Sequence, residues 1–416
     1  MGRVPRVPED LEGLEAEDLG PRAAFAAVIA TALAREVRAV VFLGDVVDRD
    51  EAFAESWSHL HDGLRRLGEA GIEVFAVVGN HDHKVLPRLA DELPGLRLIG
   101  RGGVWEEVTL EAGGTPWLRL CGWSFPGPRV TTSPLANFPF TRDGGAPRIG
   151  LLHADVDATG GTYAPVARRE LENAATGAWL LGHVHRPWHA ELGSDRPLGY
   201  LGSLVGLKST ESGVHGPWLL ELTGAGRPVL TQLPVVPLVW ESLELSIDDL
   251  EGPDELEARI VRTLREHADM RESELGDARA VGCRLHLVGS HIEHAAIARE
   301  LSRLRKIIEQ FRPRLAGRSW FLAKLVDDAR PALDLEALAR ADDPPGLVAR
   351  KLLALRTGDA PQVLREAQAR LERTSDAPSW SGLERQALDE AAVSELLERA
   401  GYSLLEKLLE RAGSPQ

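Results

Sequence analysis

The chain has 416 residues, more than one ordinary domain of ~100–200 residues, so two or three domains are expected. Its 44% hydrophobic and 27% charged content suits a globular chain and excludes global disorder. With 48 basic against 63 acidic residues the net charge is −15, so bulk electrostatics repel nucleic acid and anionic membranes, and any nucleic-acid contact must rest on a local basic surface or on bound metal.

No apolar run reaches the ~18–20 residues of a membrane-spanning helix, and the first twenty residues lack the apolar region of a secretory signal. Cys121 and Cys283 lie far apart and fit no metal-ligand spacing. That usage suits a reducing cytoplasm.

In chain order, Ala39-Val40-Val41-Phe42-Leu43 is a short strand ending at Gly44, and residues 72–78 form another ending at Gly79. Between them, 52–70 carries Trp57, Leu60, Leu64 and Leu67 at helical spacing. Residues 149–153 and 178–181 repeat the strand pattern. Continuous apolar strands of this length predict a sheet buried on both faces, in α/β layers. Residues 105–123 alternate as a hairpin does, and 124–147, rich in Pro, Gly, Thr and Asn, read as a long loop. Strands over 200–222 and 229–233 are expected to close the sheet.

A boundary is expected at Pro234-Val235-Val236-Pro237. After it come a strand at 238–247, a helix at 253–268, a strand at 280–288 and a helix at 292–311. The remainder is helical at 333–339, 345–355, 361–373 and 382–412, with breaks at Asp342-Asp343-Pro344-Pro345 and at 374–381. The expected domains are therefore 1–237, an α+β module at 238–328 and a helical region at 329–416.

Four motifs follow predicted strands: Gly44-Asp45-Val46-Val47-Asp48, Gly79-Asn80-His81-Asp82, His153, and Gly182-His183-Val184-His185. Loops at the carboxyl ends of α/β strands are where such sheets bind ligands. Carboxylate, amide and imidazole donors together suit Mn²⁺, Fe²⁺ or Zn²⁺. A glycine ahead of the ligands in three of the four lets the backbone turn sharply and a phosphate approach.

This constellation resembles the calcineurin-like metallophosphoesterases, and GNHD followed by GHVHRP, a capping module and a helical tail resembles their SbcD-type DNA-repair exonucleases, including the YhaO-like branch. The likeness is strong over about the first 235 residues, loose over the next ninety, and confined to helical character in the tail. It implies a sandwich of two β-sheets flanked by helices, and two divalent metal ions, Mn²⁺ by expectation, roughly 3.5–4 Å apart. It makes Asp45 the carboxylate bridging both ions. Asn80, His153 and His183 complete one site, and His185 belongs to the other. His81 acts on the leaving oxygen or stabilises the transition state. Asp82 orients a histidine or supports the loop, and Asp48 is either an outer supporting residue or a loop cap. Implied partners are DNA, an SMC-like ATPase of SbcC type bound by the helical tail, and a second copy of the chain; no membrane is implied, and the expected location is cytoplasmic.

The family's D-x-H motif, which supplies two ligands of the first metal, is absent. The expectation is that the sequence starts just after it and lacks the first strand, leaving unpaired edges and exposed apolar surface in the sheet. Asp10 and Asp18 have no histidine at the right spacing to replace it. Arg303, Arg305, Lys306, Arg312, Arg314 and Arg318, near Trp320 and Phe321, are candidate DNA contacts or simply a solvated helix face and connector. Leu396, Leu397, Leu404, Leu405, Leu408 and Leu409 are spaced for docking a partner or for packing among the tail helices. Two other functions stay open. Gly44-Asp45-Val46-Val47-Asp48-Arg49 resembles the GDxVDRG of protein phosphatases, which suits a phosphatase or small-molecule phosphodiesterase. The missing D-x-H suits a catalytically depleted scaffold subunit.

Overall fold

The computed structural model describes residues 3–11, 13–48, 53–158, 160–308, 310–375 and 389–413. Arg49, the expected break over 376–381 and the expected helical residues 382–388 lie outside them. The chain divides into two compact units. The first holds Met1–Ser242, His267–Arg284 and Arg312–Ala323; the second holds Leu243–Glu266, Leu285–Phe311 and Lys324–Gln416.

The first unit begins with helix α1 (Pro21–Ala34), strand β1 (Ala39–Leu43), α2 (Phe53–Glu69), β2 (Glu73–Val77), α3 (Val85–Glu92) and β3 (Leu96–Leu98). β1, β2 and β3 make a parallel three-stranded sheet in which Leu43 pairs with Val77. Its buried face packs on α2 and α3 through Leu60, Leu64, Leu67, Leu86 and Leu89, each at most 3% exposed. The predicted periodicity of 52–70 is this contact. α1 has no counterpart among the sequence expectations. Its alanine-rich run is apolar nearly all round, so the pattern marks no single face.

β4 (Glu106–Ala112) and β5 (Thr115–Trp123) form the expected hairpin. β6 (Arg148–His153), α4 (Arg168–Asn173), β7 (Ala178–Gly182), α5 (His189–Leu192) and β8 (Leu198–Tyr200) follow. β4-β5-β6-β7-β8 is one sheet, parallel from β5 onward, with β6 buried along its whole length. The two sheets form α/β layers, consistent with the sandwich that the sequence resemblance implies.

Two expectations fail here. Residues 201–217 are loop, with Gly202, Gly213 and Gly216 in left-handed backbone that breaks a strand. β9 (Trp218–Leu222) and β10 (Pro228–Gln232) do not close a sheet; they pair only with each other among the described residues. β1 likewise pairs only with β2 there, and all five of its apolar residues are half-buried. A cavity of about 850 Å³ is lined by β1 and β9 together with Phe25 of α1 and Leu118, Leu120, Ile149 and Leu180 of the large sheet.

β11 (Leu238–Ser246), α6 (Leu256–Arg271) and β12 (Ala280–Val288) match their predicted positions closely. β13 (Ser290–His291), α7 (His294–Ile308), β14 (Arg314–Leu315), β15 (Arg318–Asp327) and β16 (Arg330–Pro331) complete the module. β11-β12-β15-β14 are ordered as one sheet. β15 was not expected: Trp320 and Phe321, placed on a connector by the sequence reading, are buried strand residues. The tail folds as α8 (Leu335–Leu338), α9 (Pro344–Arg356), α10 (Pro361–Ser375) and α11 (Glu390–Gly413), with Asp343 capping α9 through Gly346 N. Among the described residues no helix is long and apolar enough to cross a membrane. Cys121 and Cys283 are free and buried.

Candidate metal centre

The parallel registers bring the motif loops together. β1 and β2 end level, which sets Asp45 beside Gly79; β6 and β7 end level, with His153 opposite Gly182. A Cβ on Gly79 would collide with the Asp45 carboxylate, so only glycine lets these loops approach. Asp45 and His183 both hold positive φ, +54° and +101°, an uncommon geometry for residues with side chains. Such backbone persists where surrounding contacts over-determine it.

Asp45, His153 and His183 offer ligand atoms that all lie within 4.8 Å of one another. His153 Nε2 is the hub. It lies 3.0 Å from Asn80 Oδ1, 3.3 Å from Asp45 Oδ2 and 3.2 Å from His183 Nδ1. The proton positions follow from the outer partners. His153 Nδ1 is 2.8 Å from Leu43 O, which can only accept, so Nδ1 carries the hydrogen. His183 Nε2 is 3.0 Å from Asp155 Oδ1, again an acceptor. In neutral rings the inward nitrogens therefore carry lone pairs. With both rings neutral, two imidazole nitrogens, a carboxylate oxygen and an amide oxygen converge with no donor among them, an arrangement that a cation at its centre would satisfy. The donor set fits a divalent ion of borderline softness, which Asp45, Asn80, His153 and His183 would hold.

Asp45 and His153 are electrostatically coupled. Burial pushes the Asp45 carboxyl up, but the His153 hydrogen bond and charge and the His81 N–H outweigh it and hold the pKa at about 2. Burial alone would lower His153, yet contact with Asp45 raises it. Asp82 is fully buried; burial and then the Asp45 charge push it up to about 6. Its two oxygens accept from Gly79 N and Val46 N, both at 2.8 Å, so it staples the two metal loops together.

His81 is exposed at the mouth of the site, with its backbone N–H donating to Asp45 Oδ1 at 3.0 Å. Asp48 accepts from Arg3 Nε at 2.6 Å and is not among the three residues whose ligand atoms cluster. His185 lines the same cavity, but its ring turns to Glu211, 2.9 Å from Nδ1, and it is not part of the three-residue cluster. Sequence reasoning missed Asp155, Glu211 and His83, whose Nδ1 donates to Asn80 O at 3.0 Å. Only Asp155 and His83, each within a few positions of a motif histidine or asparagine, carried any local signal.

The candidate DNA contacts do not share one unit. Arg303 and Arg305 stand on α7 in the second unit, where Glu300 pairs with Arg303 at 2.6 Å; the Lys306 side chain lies outside the described residues. Arg312, Arg314 and Arg318 belong to the first unit. Arg312 lies 3.4 Å from Asp10, Arg314 donates to Gly317 O, and Arg318 donates to the carbonyls of Ala316, Glu272 and Gly276. These three guanidinium groups bind the chain's own backbone and acids.

Residues 18–187 match the family model of the calcineurin-like phosphoesterases, a span that contains every residue of the donor cluster. Over that span the chain is similar to a family of metal-dependent phosphoester hydrolases, and Asp45, His153 and His183 are grouped so that they could hold a metal ion. It is also similar to YhaO, an uncharacterized metallophosphoesterase of Bacillus subtilis (strain 168), at 27% identity over 200 residues. That match covers 47% of this chain and 48% of the relative, so the chain spans about half the length of the curated relative it matches.

Proposed function

We propose that this chain is a divalent-metal-dependent phosphodiesterase of the SbcD type, cleaving DNA with Mn²⁺. The observation that carries the hydrolase reading is the donor-free convergence of Asp45, Asn80, His153 and His183. The DNA substrate is put forward from the sequence resemblance and from the extent of chain beyond the phosphoesterase domain.

A divalent ion held there supplies Lewis-acid polarisation of the phosphoryl oxygen and a lowered pKa for coordinated water. The protein supplies the rest. Asp82 and the Gly79 turn fix the two loops, so Asp45 meets the cluster without reorganising. In this reading His81, exposed and bonded through its backbone to Asp45, gives a proton to the departing oxygen. A homodimer and an SMC-like ATPase partner complete the proposal, the latter on the outward face of α11, where Leu396 and Leu404 are 44% and 49% exposed.

A second reading has its own support. Arg312, Arg314 and Arg318 are engaged within the chain, which leaves less basic surface for a polyanion and favours a small phosphodiester or phosphomonoester. One experiment separates the two: Mn²⁺-dependent nicking of plasmid DNA beside hydrolysis of bis-p-nitrophenyl and p-nitrophenyl phosphate. DNA cleavage is expected, and His81→Ala should reduce it roughly 10²–10⁴-fold while Mn²⁺ binding persists. Cleavage of the small esters alone would select the second reading. No hydrolysis of any of the three would overturn both.

A further inference from the structure

The two histidines of the Gly182-His183-Val184-His185 turn each face a carboxylate outside the donor cluster. Asp155 Oδ1 is 3.0 Å from His183 Nε2, and Glu211 Oε1 is 2.9 Å from His185 Nδ1. Different ring nitrogens are engaged in the two cases.

Both residues are held in place by further contacts. The Tyr200 hydroxyl, on a residue 2% exposed, brackets Asp155: it donates to Ala154 O and accepts from Val156 N, both at 2.8 Å. Asp155 N donates to Tyr163 O at 2.9 Å, and Val166 N donates to Asp155 O at 2.8 Å. Glu211 accepts from Leu207 N on its second oxygen at 2.6 Å. Its backbone carbonyl is 3.1 Å from Nε2 of His215, a residue 2% exposed.

An ionised carboxylate only accepts. Asp155 therefore puts the hydrogen of His183 on Nε2, and Glu211 puts that of His185 on Nδ1. We propose that Asp155 and Glu211 are positioning residues that fix opposite tautomers on one turn, so that His183 presents Nδ1 and His185 presents Nε2 as cation ligands. The inference rests on the metal reading of this site. The reason for the device is geometric. His183 Nδ1 is 3.2 Å from His153 Nε2 and shares the cluster with Asp45, so the wrong tautomer would aim an N–H at the cation position. A free imidazole samples both tautomers, and a carboxylate partner removes that freedom.

The test needs no turnover. Long-range ¹H–¹⁵N spectra of metal-free, histidine-labelled protein at alkaline pH report each tautomer. The expected result is Nε2–H for His183 and Nδ1–H for His185. Asp155→Asn and Glu211→Gln, whose amides can also donate, should lose the fixed tautomer at their own histidine only. Mn²⁺ titration should show about 10–100-fold weaker binding in each. Tyr200→Phe, which frees the Ala154 and Val156 backbone groups flanking Asp155 and keeps the carboxylate, should weaken Mn²⁺ binding by less than Asp155→Asn; it serves if the carboxylate variants fail to fold. The reverse tautomer in the wild-type protein, or unchanged Mn²⁺ affinity in the variants, overturns the proposal. Expected tautomers in a wild-type protein that binds no Mn²⁺ would overturn the metal reading and the ligand role with it, while leaving the tautomer assignment supported.

Discussion

His294 joins two elements of the second unit through its ring. Asp327 Oδ1 lies 3.7 Å from Nε2, an ion pair beyond hydrogen-bond range, and Glu406 Oε1 accepts from Nδ1 at 2.9 Å. Asp327 and then Glu406 raise its pKa to about 8, against an opposing contribution from burial. A histidine whose folded pKa is raised adds stability that is fully present below the unfolded value of ~6.5 and is lost as pH rises through about 8. With the ring partly screened by solvent, about 1 kcal/mol is expected. Urea midpoints should fall between pH 6 and pH 9 in the wild type and fall less in His294→Gln; parallel curves would remove this role. In the first unit the donor residues were legible, since Asp45, Asn80, His153 and His183 each follow an apolar strand that the sequence displays. Asp155 and Glu211 were not, because their partners are set by how loops 154–166 and 203–215 fold back on the turn.

At the scale of elements, α11 shows how one helix divides its leucines. Val393, Tyr402 and Leu405 are buried, and Leu397 and Leu409 pack with them against neighbouring tail helices. Leu396 and Leu404 face outward. Packing within the tail thus accounts for part of the predicted leucine pattern. Leu405→Ala should cost about 2–5 kcal/mol, whereas Leu404→Ala should leave stability within ~0.5 kcal/mol; thermal unfolding of the two variants checks the contrast. Equal effects would mean that the outward face is covered. Helices such as α2 were readable because charge and apolar side chains separate by period, and β6 and β7 because burial on both faces leaves an unbroken apolar run. α1 and β15 hid for opposite reasons. In α1 alanine blurs any stripe, and in β15 four consecutive buried residues, Ser319 to Leu322, follow a run of arginines that suggested solvent.

For the whole molecule, the feature with the widest consequence is the cavity of about 850 Å³ in the first unit. It is walled by apolar side chains and by strands β1 and β9, each hydrogen-bonded to one neighbour among the described residues, and it reaches the donor cluster at one end. Apolar surface left open at this scale binds amphiphiles. Anilinonaphthalene sulfonate should fluoresce on binding the native protein and quench the lining Trp117 and Trp218, with no denaturant present. A dark dye would mean that the cavity is closed in solution. The amino-acid sequence by itself determined the α/β layering, the hairpin and the candidate ligand side chains. Each of these is written in short-range periodicity or in a motif a few residues long. Only the tertiary structure decided which strands pair, which ring nitrogen each histidine turns inward, and which arginines bind the chain's own carbonyls. Those outcomes depend on groups far apart in sequence, such as Leu43 with His153 or Arg318 with Gly276, whose meeting no local pattern records.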